Sequence, residues 1–198
     1  MGIVSYESVK DRITIKLVNK EKNSDYLSDK ISRDFLDLAI VFSIDLGKNM
    51  SVPITKEMSK LWKVTPDRIY EKALENAKNC KYIENVLLYD MIVVTNESGI
   101  FGANVILNYD IMDKLSEKFG GDFYIIPSSI HDVIALSSNY VEREEDMYFV
   151  RKMVSSVNSV VADEVLSNNL YAYDSTQREV VFAEVLKLRD KGCDLTEI

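Results

Sequence analysis

The organisation of this chain follows from one stretch, Phe119-Gly-Gly-Asp-Phe-Tyr-Ile-Ile-Pro-Ser-Ser-Ile-His-Asp-Val-Ile-Ala-Leu136. Its two apolar runs predict short strands that meet at Pro127-Ser128-Ser129, because Pro and Ser favour turns. A helix is predicted to end just before the first of these strands, at Gly120-Gly121. The stretch also contains His131, the only histidine in the sequence. Imidazole chemistry is therefore confined to this segment.

Length and composition are those of one globular domain. The chain has 198 residues, of which 46% are hydrophobic and 28% are charged, both ordinary values for globular proteins. Two cysteines are too few for a disulfide framework, and no run approaches the roughly 20 apolar residues of a membrane helix. The N-terminal residues match neither a signal peptide nor a myristoylation motif. We therefore expect a single cytoplasmic domain over residues 1–198 that contacts no membrane.

The charge balance bears on the class of partner. The net charge is −8, from 32 acidic and 24 basic side chains. Nucleic acids and anionic membranes attract a basic face, so we expect neither as a partner. An acidic inhibitor that occupies a nucleic-acid-binding protein is a further hypothesis. It requires the carboxylates to gather on one face, whereas lysines are interspersed with them along the sequence.

The other predicted strands come from runs of β-branched and apolar residues. Residues 13–18 alternate between apolar and polar side chains, the pattern of a half-exposed strand. Residues 35–46 are nearly all apolar, the pattern of a strand covered on both faces. A turn at Asn96-Glu-Ser-Gly99 predicts that the two runs beside it form a hairpin. The predicted strands are 13–18, 35–46, 87–95, 100–107, 122–127 and 130–136, with a second hairpin over 170–182 at an edge of the sheet.

Helices are predicted from apolar stripes with helical spacing and from capping residues. Thr55 and Thr65-Pro66 are typical first residues of a helical pair over 55–79, which is inserted between strands. Residues 110–119 carry an apolar stripe that ends at Gly120. Further helices are predicted over 5–11, from 142 onward with Phe149, Val150, Met153, Val154 and Val157 on one face, and over 183–191 up to Gly192, whereas 19–33 are predicted as a loop or loose helix.

These elements together predict an α+β fold. It consists of a mostly antiparallel sheet, because strands joined by short turns pair antiparallel, with helices packed on it. The second half of the chain is predicted to form a strand–strand–helix–strand–strand unit. Its central helix is the one over residues 110–119.

Candidates for catalysis are confined to Ser128, Ser129, His131 and Asp132. A serine nucleophile needs a base within hydrogen-bond reach, and His131 is close in sequence. However, the chain has no Gly-x-Ser-x-Gly motif and no second histidine for a metal phosphohydrolase. The alternative is a structural role, in which Ser129 caps a single turn and the side chain of Asp132, three residues on, forms a reciprocal hydrogen bond with Ser129, as in a capping box. We therefore assign no catalytic residue.

No cofactor or metal is predicted either. Gly120-Gly121 follows a helix rather than preceding one, and no Lys-Ser or Lys-Thr comes after it, so it differs from a phosphate loop. Cys80 has no histidine, second cysteine or lysine cluster beside it that would lower the pKa of its thiol, so we expect an inert thiol. The sequence thus contains no recognisable ligand set.

Several segments have distinctive sequences that can be compared with those of known families. They are Tyr6-Glu-Ser-Val-Lys-Asp-Arg-Ile13, Leu17-Val-Asn-Lys-Glu-Lys-Asn23, Phe35-Leu-Asp-Leu-Ala-Ile-Val-Phe42, Asp122-Phe-Tyr-Ile-Ile-Pro-Ser-Ser-Ile-His-Asp132 and Glu164-Val-Leu-Ser167. Together they resemble an uncharacterised family from anaerobic Gram-positive bacteria, one of the domain-of-unknown-function families. The resemblance runs from Ser5 to about Tyr173. The helical pair also resembles a second, more widespread uncharacterised family.

The resemblance implies a bacterial cytosolic protein without an assigned reaction or catalytic residues. Typical members carry an extra N-terminal region before the segment that begins here at Ser5. The resemblance therefore implies that this chain is a naturally short form or a trimmed core of such a protein.

The functional hypothesis that follows is a non-enzymatic module that contacts a protein partner or a second copy of itself. It would act through a sheet edge or a face that carries tyrosines, whose side chains suit contact surfaces. The alternative is a hydrolase or small-ligand-binding domain centred on Ser128, Ser129, His131 and Asp132. The two hypotheses differ in whether these side chains line a cavity or pack beneath the helix over residues 110–119.

Overall fold

A computed structural model of the protein describes residues 5–48, 50–88, 90–141, 143–161 and 164–190. In these ranges the strands β1 to β10 are Ile13–Asn19, Ser32–Phe35, Leu38–Gly47, Met50–Pro53, Tyr82–Leu88, Met91–Asn96, Phe123–Ile126, Asp132–Ser137, Tyr171–Asp174 and Glu179–Phe182. The helices α1 to α7 are Tyr6–Val9, Ser24–Leu27, Lys56–Trp62, Pro66–Lys78, Tyr109–Phe119, Glu144–Val161 and Ala183–Asp190. Short 3-10 helices are Lys10–Arg12, Gly102–Leu107 and Ser138–Tyr140.

The fold is α+β, as predicted, but the described strands form two antiparallel sheets. In the smaller sheet β3 pairs with β1 on one side and with β2 and β4 on the other. The larger sheet has the order β10-β9-β7-β8-β6-β5. The prediction of one sheet was wrong because an apolar pattern indicates which face a strand buries, not which strand it pairs with.

The predicted hairpin over 87–107 was placed wrongly. The observed hairpin pairs β5 with β6, and Leu88 faces Met91 across its tip. The turn at Asn96 exists, since the Gly99 N–H donates to the Asn96 carbonyl at 3.0 Å, but it leads into a 3-10 helix over Gly102–Leu107. Short buried apolar runs fit a strand and a helical segment equally well. The strand–strand–helix–strand–strand order itself is confirmed by β5, β6, α5, β7 and β8.

The predicted helix boundaries are mostly confirmed. Thr55 and Thr65 cap α3 and α4, since their hydroxyls accept hydrogen bonds from backbone N–H groups at 3.1 and 3.3 Å. Gly120 ends α5 with φ of 81°, a left-handed conformation that glycine adopts without strain. Phe149 of α6 is 58% exposed, contrary to prediction. Gly192, the predicted end of α7, lies outside the described residues.

Two further predictions concern the ends of the sheets. The hairpin predicted over 170–182 is formed by β9 and β10, and β10 lies at an edge of the larger sheet, as expected. Residues 19–33, predicted as a loop or loose helix, contain α2 and the start of β2. β2 was missed because its burial pattern is exposed at three of four positions, so it has no apolar stripe.

Apart from its edge strand β5, the larger sheet is covered on both faces. Alternate residues of its strands point to opposite sides. On one side Val94 and Phe123 share an apolar cluster with the smaller sheet, α4 and α5. On the other side Ile126 and Leu136 form a second cluster with α6 and α7. Full burial of one such side chain contributes roughly 1.5–3 kcal/mol to stability.

Candidate functional site

The loop between β7 and β8 contains three of the predicted candidates, Ser128, Ser129 and His131, and the fourth, Asp132, is the first residue of β8. Ser129 is buried, and its Oγ accepts a hydrogen bond from the backbone N–H of His131 at 3.0 Å. The Ser129 N–H donates to the carbonyl of Asp132 at 3.2 Å and closes the hairpin loop. The predicted pairing of Ser129 with Asp132 is present, since the Ser129 hydroxyl also lies 3.5 Å from Oδ1 of Asp132. It is not a capping box, because the hydroxyl accepts from the residue two positions on, in a turn, and no helix follows.

The ring of His131 is held on both nitrogens. Its Nδ1 accepts a hydrogen bond from the backbone N–H of Phe101 at 3.2 Å, and its Nε2 lies 3.3 Å from Oε1 of Glu164. A nitrogen that accepts carries no proton, so the proton of the neutral ring is on Nε2 and is donated to Glu164. Neither nitrogen is left to act as a base for Ser128 or Ser129, so this geometry favours a structural role.

Phe101 and Lys16 extend this contact into a stack. The rings of Phe101 and His131 are parallel within 8°, with centroids 5.9 Å apart, and the Lys16 Nζ lies 4.9 Å from the centroid of the Phe101 ring. Burial lowers the pKa of Lys16, while the charge of Glu164 opposes that shift. Phe101 has φ of 56°, an unfavourable conformation for a bulky residue.

Two cavities lie away from the predicted candidates. One, of about 380 Å³, is lined by the start of β1, the β3–β4 turn and the end of α4. The other, of about 410 Å³, lies between α4, the 3-10 helix and the start of α5. Ala77 and Asn104 line both cavities. Ser128, Ser129, His131 and Asp132 line neither of them, so the alternative hypothesis gains no support from these cavities.

The first cavity has mixed charge and one thiol. Arg12 and Lys48 line it together with Asp11 and Asp45. Desolvation raises the pKa of the Cys80 thiol, which therefore stays protonated at neutral pH. A protonated thiol is a poor nucleophile, in agreement with the prediction that Cys80 is inert.

Asn108 lines the second cavity, and the carbonyl oxygen of its side chain is buried and unpaired; we call this group the Asn108 amide. Asn108 is only 7% exposed, its Oδ1 has no hydrogen-bond partner, and its side chain does not cap α5. Asn104, 8% exposed at the same cavity, has both ends paired. Its Nδ2 donates to the carbonyl of Ile15 at 2.9 Å, and its Oδ1 accepts from the Tyr82 hydroxyl at 3.0 Å.

The edge of the larger sheet formed by β5 is apolar and open. β5 pairs with β6 on one side and with no other described strand. Val86, Leu87 and Leu88 are 67%, 55% and 63% exposed, and Ile83 is 40% exposed. We call these four side chains the β5 edge patch. Soluble proteins usually shield edge strands with charges, prolines or bulges. The register of β5 does shift between Val86 and Leu88, but the apolar side chains there remain exposed, so this patch is a candidate contact surface.

Sequence reasoning missed these sites because their parts come from separate segments. Phe101 and Glu164 meet His131 from positions 30 and 33 residues away, which no local pattern indicates. Asn108 directly follows the strand predicted over 100–107, so no sequence pattern indicated that its side chain is buried. The β5 edge patch had a signal, the apolar run Val86-Leu87-Leu88, but this run was assigned to the start of a strand predicted over 87–95 rather than to an exposed edge.

Antiparallel sheets with segregated helices define an α+β protein. The chain belongs to the Family of unknown function (DUF5688), whose profile matches residues 1–92 and 81–175. The match confirms the resemblance to an uncharacterised family. No curated protein and no solved structure is significantly similar to the chain. In the described ranges no helix has the length and apolar character to cross a membrane, and no group of three or more His, Cys, Asp or Glu is placed to hold a metal ion.

Proposed function

We propose that the protein is an interaction module that pairs with a second copy of itself through the β5 edge. The observation that carries the proposal is the β5 edge patch, in which Val86, Leu87 and Leu88 are all more than half exposed. The backbone beside them is that of an edge strand, whose outward N–H and C=O groups fit another extended strand. Tyr171 and Tyr173 are fully buried, so a tyrosine-bearing strand face is the less favoured surface.

A second copy fits this edge without placing like charges opposite each other. Glu84 is the only ionisable side chain between Ile83 and Leu88, and it already forms an ion pair with Lys118. If two β5 strands pair antiparallel about Asn85, Glu84 faces Val86 of the other copy. Cross-strand pairs of this kind are stabilising, whereas directly opposed like charges are not. The resulting two-fold interface is self-complementary.

Long-range repulsion sets the salt dependence of this pairing. Each copy carries a net charge of −8, so two copies repel at low ionic strength. At physiological salt the screening length is about 8 Å, which weakens the repulsion but leaves the apolar contact intact. Association is therefore expected to strengthen as salt is added.

The test is the mass of the protein in solution, by native mass spectrometry and light scattering over a micromolar concentration series. Val86→Lys places a charge in the β5 edge patch and is expected to yield a monomer. The matched control is Val160→Lys on α6, since Val160 is 82% exposed and lies outside the patch. This control should remain a dimer. A wild-type monomer at all concentrations and salts would refute the proposal, as would equal dissociation of both variants.

We further propose that the module is one cytosolic bacterial domain over the whole chain, with the helical pair of α3 and α4 inserted between strands. One apolar cluster with members from both sheets supports this, and the source and compartment rest on the family resemblance. A single cooperative unfolding transition with coincident spectroscopic probes is expected. Two separated transitions would contradict it.

A further inference from the structure

We infer that the hydrogen bond between His131 and Phe101 is a pH-sensitive switch, which is closed while the His131 ring is neutral and opens when the ring gains a proton. Phe101 lines the first cavity, of about 380 Å³, so opening of this bond changes the wall of that cavity in mild acid. The bond involves no residue of the β5 edge patch and is therefore independent of the proposed self-association.

The switch rests on the opposite roles of the two ring nitrogens of His131. Nδ1 accepts a hydrogen bond from the Phe101 N–H at 3.2 Å, and Nε2 lies 3.3 Å from Oε1 of Glu164. A protonated imidazole carries a hydrogen on both nitrogens and has no acceptor left. Protonation therefore sets two donors against each other, the Nδ1–H of the ring and the N–H of Phe101, and the bond between them is lost.

The charged groups around the imidazole ring bear on whether it accepts the proton. Glu164 favours the protonated form, because a hydrogen bond from an imidazolium to a carboxylate is charge-assisted. Asp132, the next residue in the chain, adds a second carboxylate. Lys16 opposes protonation, since its ammonium group lies 4.9 Å from the centroid of the Phe101 ring, which stacks on the imidazole. Of the described charged groups Glu164 is the one bonded to the ring, so the bond to Phe101 is expected to open between pH 8 and 5, where histidines change their charge.

The residues on either side of Phe101 are held independently of the imidazole ring. The side chain of Asn96 bonds both backbone groups of Ile100, donating to its carbonyl at 2.6 Å and accepting from its N–H at 3.1 Å. Gly102 lies tightly against the backbone carbonyl of His131, where a Cβ would come within 2.4 Å of the oxygen. Because neither contact uses the ring, the change on protonation is expected to centre on Phe101.

The conformation of Phe101 connects the bond to the cavity. Its φ of 56° is unfavourable for a bulky residue, so release of its N–H favours a change of backbone conformation at this position. The Phe101 ring lines the first cavity together with Ile13 and Ile15 of β1. A change at Phe101 therefore alters the cavity wall beside these two side chains.

The test is a pH titration of the full chain by NMR between pH 8 and 5, with 15N in the backbone and 13C in the isoleucine methyl groups. The Phe101 amide resonance is expected to shift with the same midpoint as the His131 ring. Its exchange with solvent should accelerate up to roughly tenfold relative to the Gly99 N–H, which is bonded elsewhere, as loss of one hydrogen bond allows. The methyl resonances of Ile15 should shift with that midpoint, whereas those of Ile126, in the other apolar cluster, should not.

Three variants separate the switch from a general effect of pH. In His131→Asn the amide oxygen takes the place of Nδ1 and accepts from the Phe101 N–H at every pH, so the Phe101 resonance is expected to stay constant. Glu164→Gln removes the carboxylate but keeps an acceptor for Nε2, so the transition should move to lower pH. Glu117→Gln is the matched control, since Glu117 is exposed on α5 and forms no ion pair with a described residue, and it should titrate as the wild type does.

Three outcomes would overturn the inference. The first is a Phe101 amide resonance that does not move between pH 8 and 5, which would show that the bond survives or that the ring stays neutral. The second is the same pH dependence at Phe101 in His131→Asn as in the wild type, which would assign the shift to another group. The third is a shift at Phe101 with no shift at the Ile15 methyl groups, which would leave the cavity wall unchanged.

Discussion

The phenol of Tyr171, in the larger sheet, donates a hydrogen bond to Asp37, which lies between β2 and β3 of the smaller sheet. Asp37 also accepts from the hydroxyl of Ser167 at 2.6 Å and from the amide of Asn169 at 3.0 Å. The Asp37 carboxylate therefore accepts three hydrogen bonds from residues 167–171, about 130 residues further along the chain. This contact joins the two sheets, and we expect it to contribute measurably to stability.

Replacement of the phenol tests this contact. Tyr171→Phe removes one hydrogen bond to a charged acceptor and should lower the free energy of unfolding by about 1.5–3 kcal/mol. Asp37→Ala leaves three donors without their acceptor and should cost more. Urea denaturation measures both values. Tyr148→Phe, on a tyrosine that is 57% exposed, is the control and should change stability by less than about 0.5 kcal/mol.

Stability is predicted to fall in alkali. Burial raises the pKa of Tyr171, Tyr173 and Tyr82, and hydrogen bonds to Asp37 and Asp113 raise the first two further. Below the ordinary phenol pKa of about 10 these groups are protonated in both states. Above it only the unfolded chain releases the protons, so the free energy of unfolding falls as pH rises.

The size of this effect follows from proton linkage. Each of these tyrosines contributes about 1.4 kcal/mol per pH unit above pH ~10. Denaturation curves measured between neutral pH and strong alkali provide the slope. Tyr171→Phe should reduce that slope by the contribution of one group. An unchanged slope in the variant would show that Tyr171 ionises equally in both states.

Gly102 is predicted to be intolerant of any side chain. A Cβ at this position would lie 2.4 Å from the carbonyl oxygen of His131 and 2.7 Å from the backbone nitrogen of Asn96. Because both are backbone atoms, the loop must shift, and Gly102→Ala should cost about 3 kcal/mol or more, the upper end of the cost of overpacking.

Gly99→Ala provides the contrast. A Cβ at Gly99 meets nothing within 4 Å, although φ there is +67°. The expected cost is therefore only the left-handed penalty of about 1–2 kcal/mol. Thermal unfolding of both variants gives the comparison. A Gly102 variant as stable as the Gly99 variant would contradict the close approach of the loops.

His131 is predicted to act on stability rather than on turnover. His131→Ala removes the acceptor for the Phe101 N–H and the ring that stacks on Phe101, so we expect a loss of about 1–3 kcal/mol. Phe101→Ala should cost a similar amount. The double variant should cost less than the sum, by at least 0.5 kcal/mol for residues in direct contact.

An activity assay tests the other half of this prediction, that His131 takes no part in catalysis. Hydrolysis of generic ester substrates by the wild type is expected to be indistinguishable from the buffer blank. If His131→Ala kept the fold but abolished a measurable turnover, the ring would be catalytic and the interaction module would have to be abandoned. Circular dichroism establishes that the fold is kept.

Features that depend on neighbouring residues were predictable from the sequence. The starts of α3 and α4 at Thr55 and Thr65, and the end of α5 at Gly120, were placed correctly because caps act within one helical turn. The hairpin of β7 and β8 was also predicted, since its turn residues and apolar runs are adjacent. In contrast, residues 100–107 were assigned to a strand, because a short apolar run indicates burial without selecting between strand and helix.

Local sequence signals were sufficient to predict the α+β class and where most helices begin and end. The reason is that helix and strand propensity, capping and the spacing of apolar residues each depend on only a few neighbouring residues. The division of the strands into two sheets, the contact between Asp37 and Tyr171, the unpaired Asn108 amide and the open β5 edge depended on the tertiary structure. Apolar burial is non-directional, so many pairings satisfy one apolar pattern. The packing of distant segments selects among these pairings and determines which polar groups stay without partners.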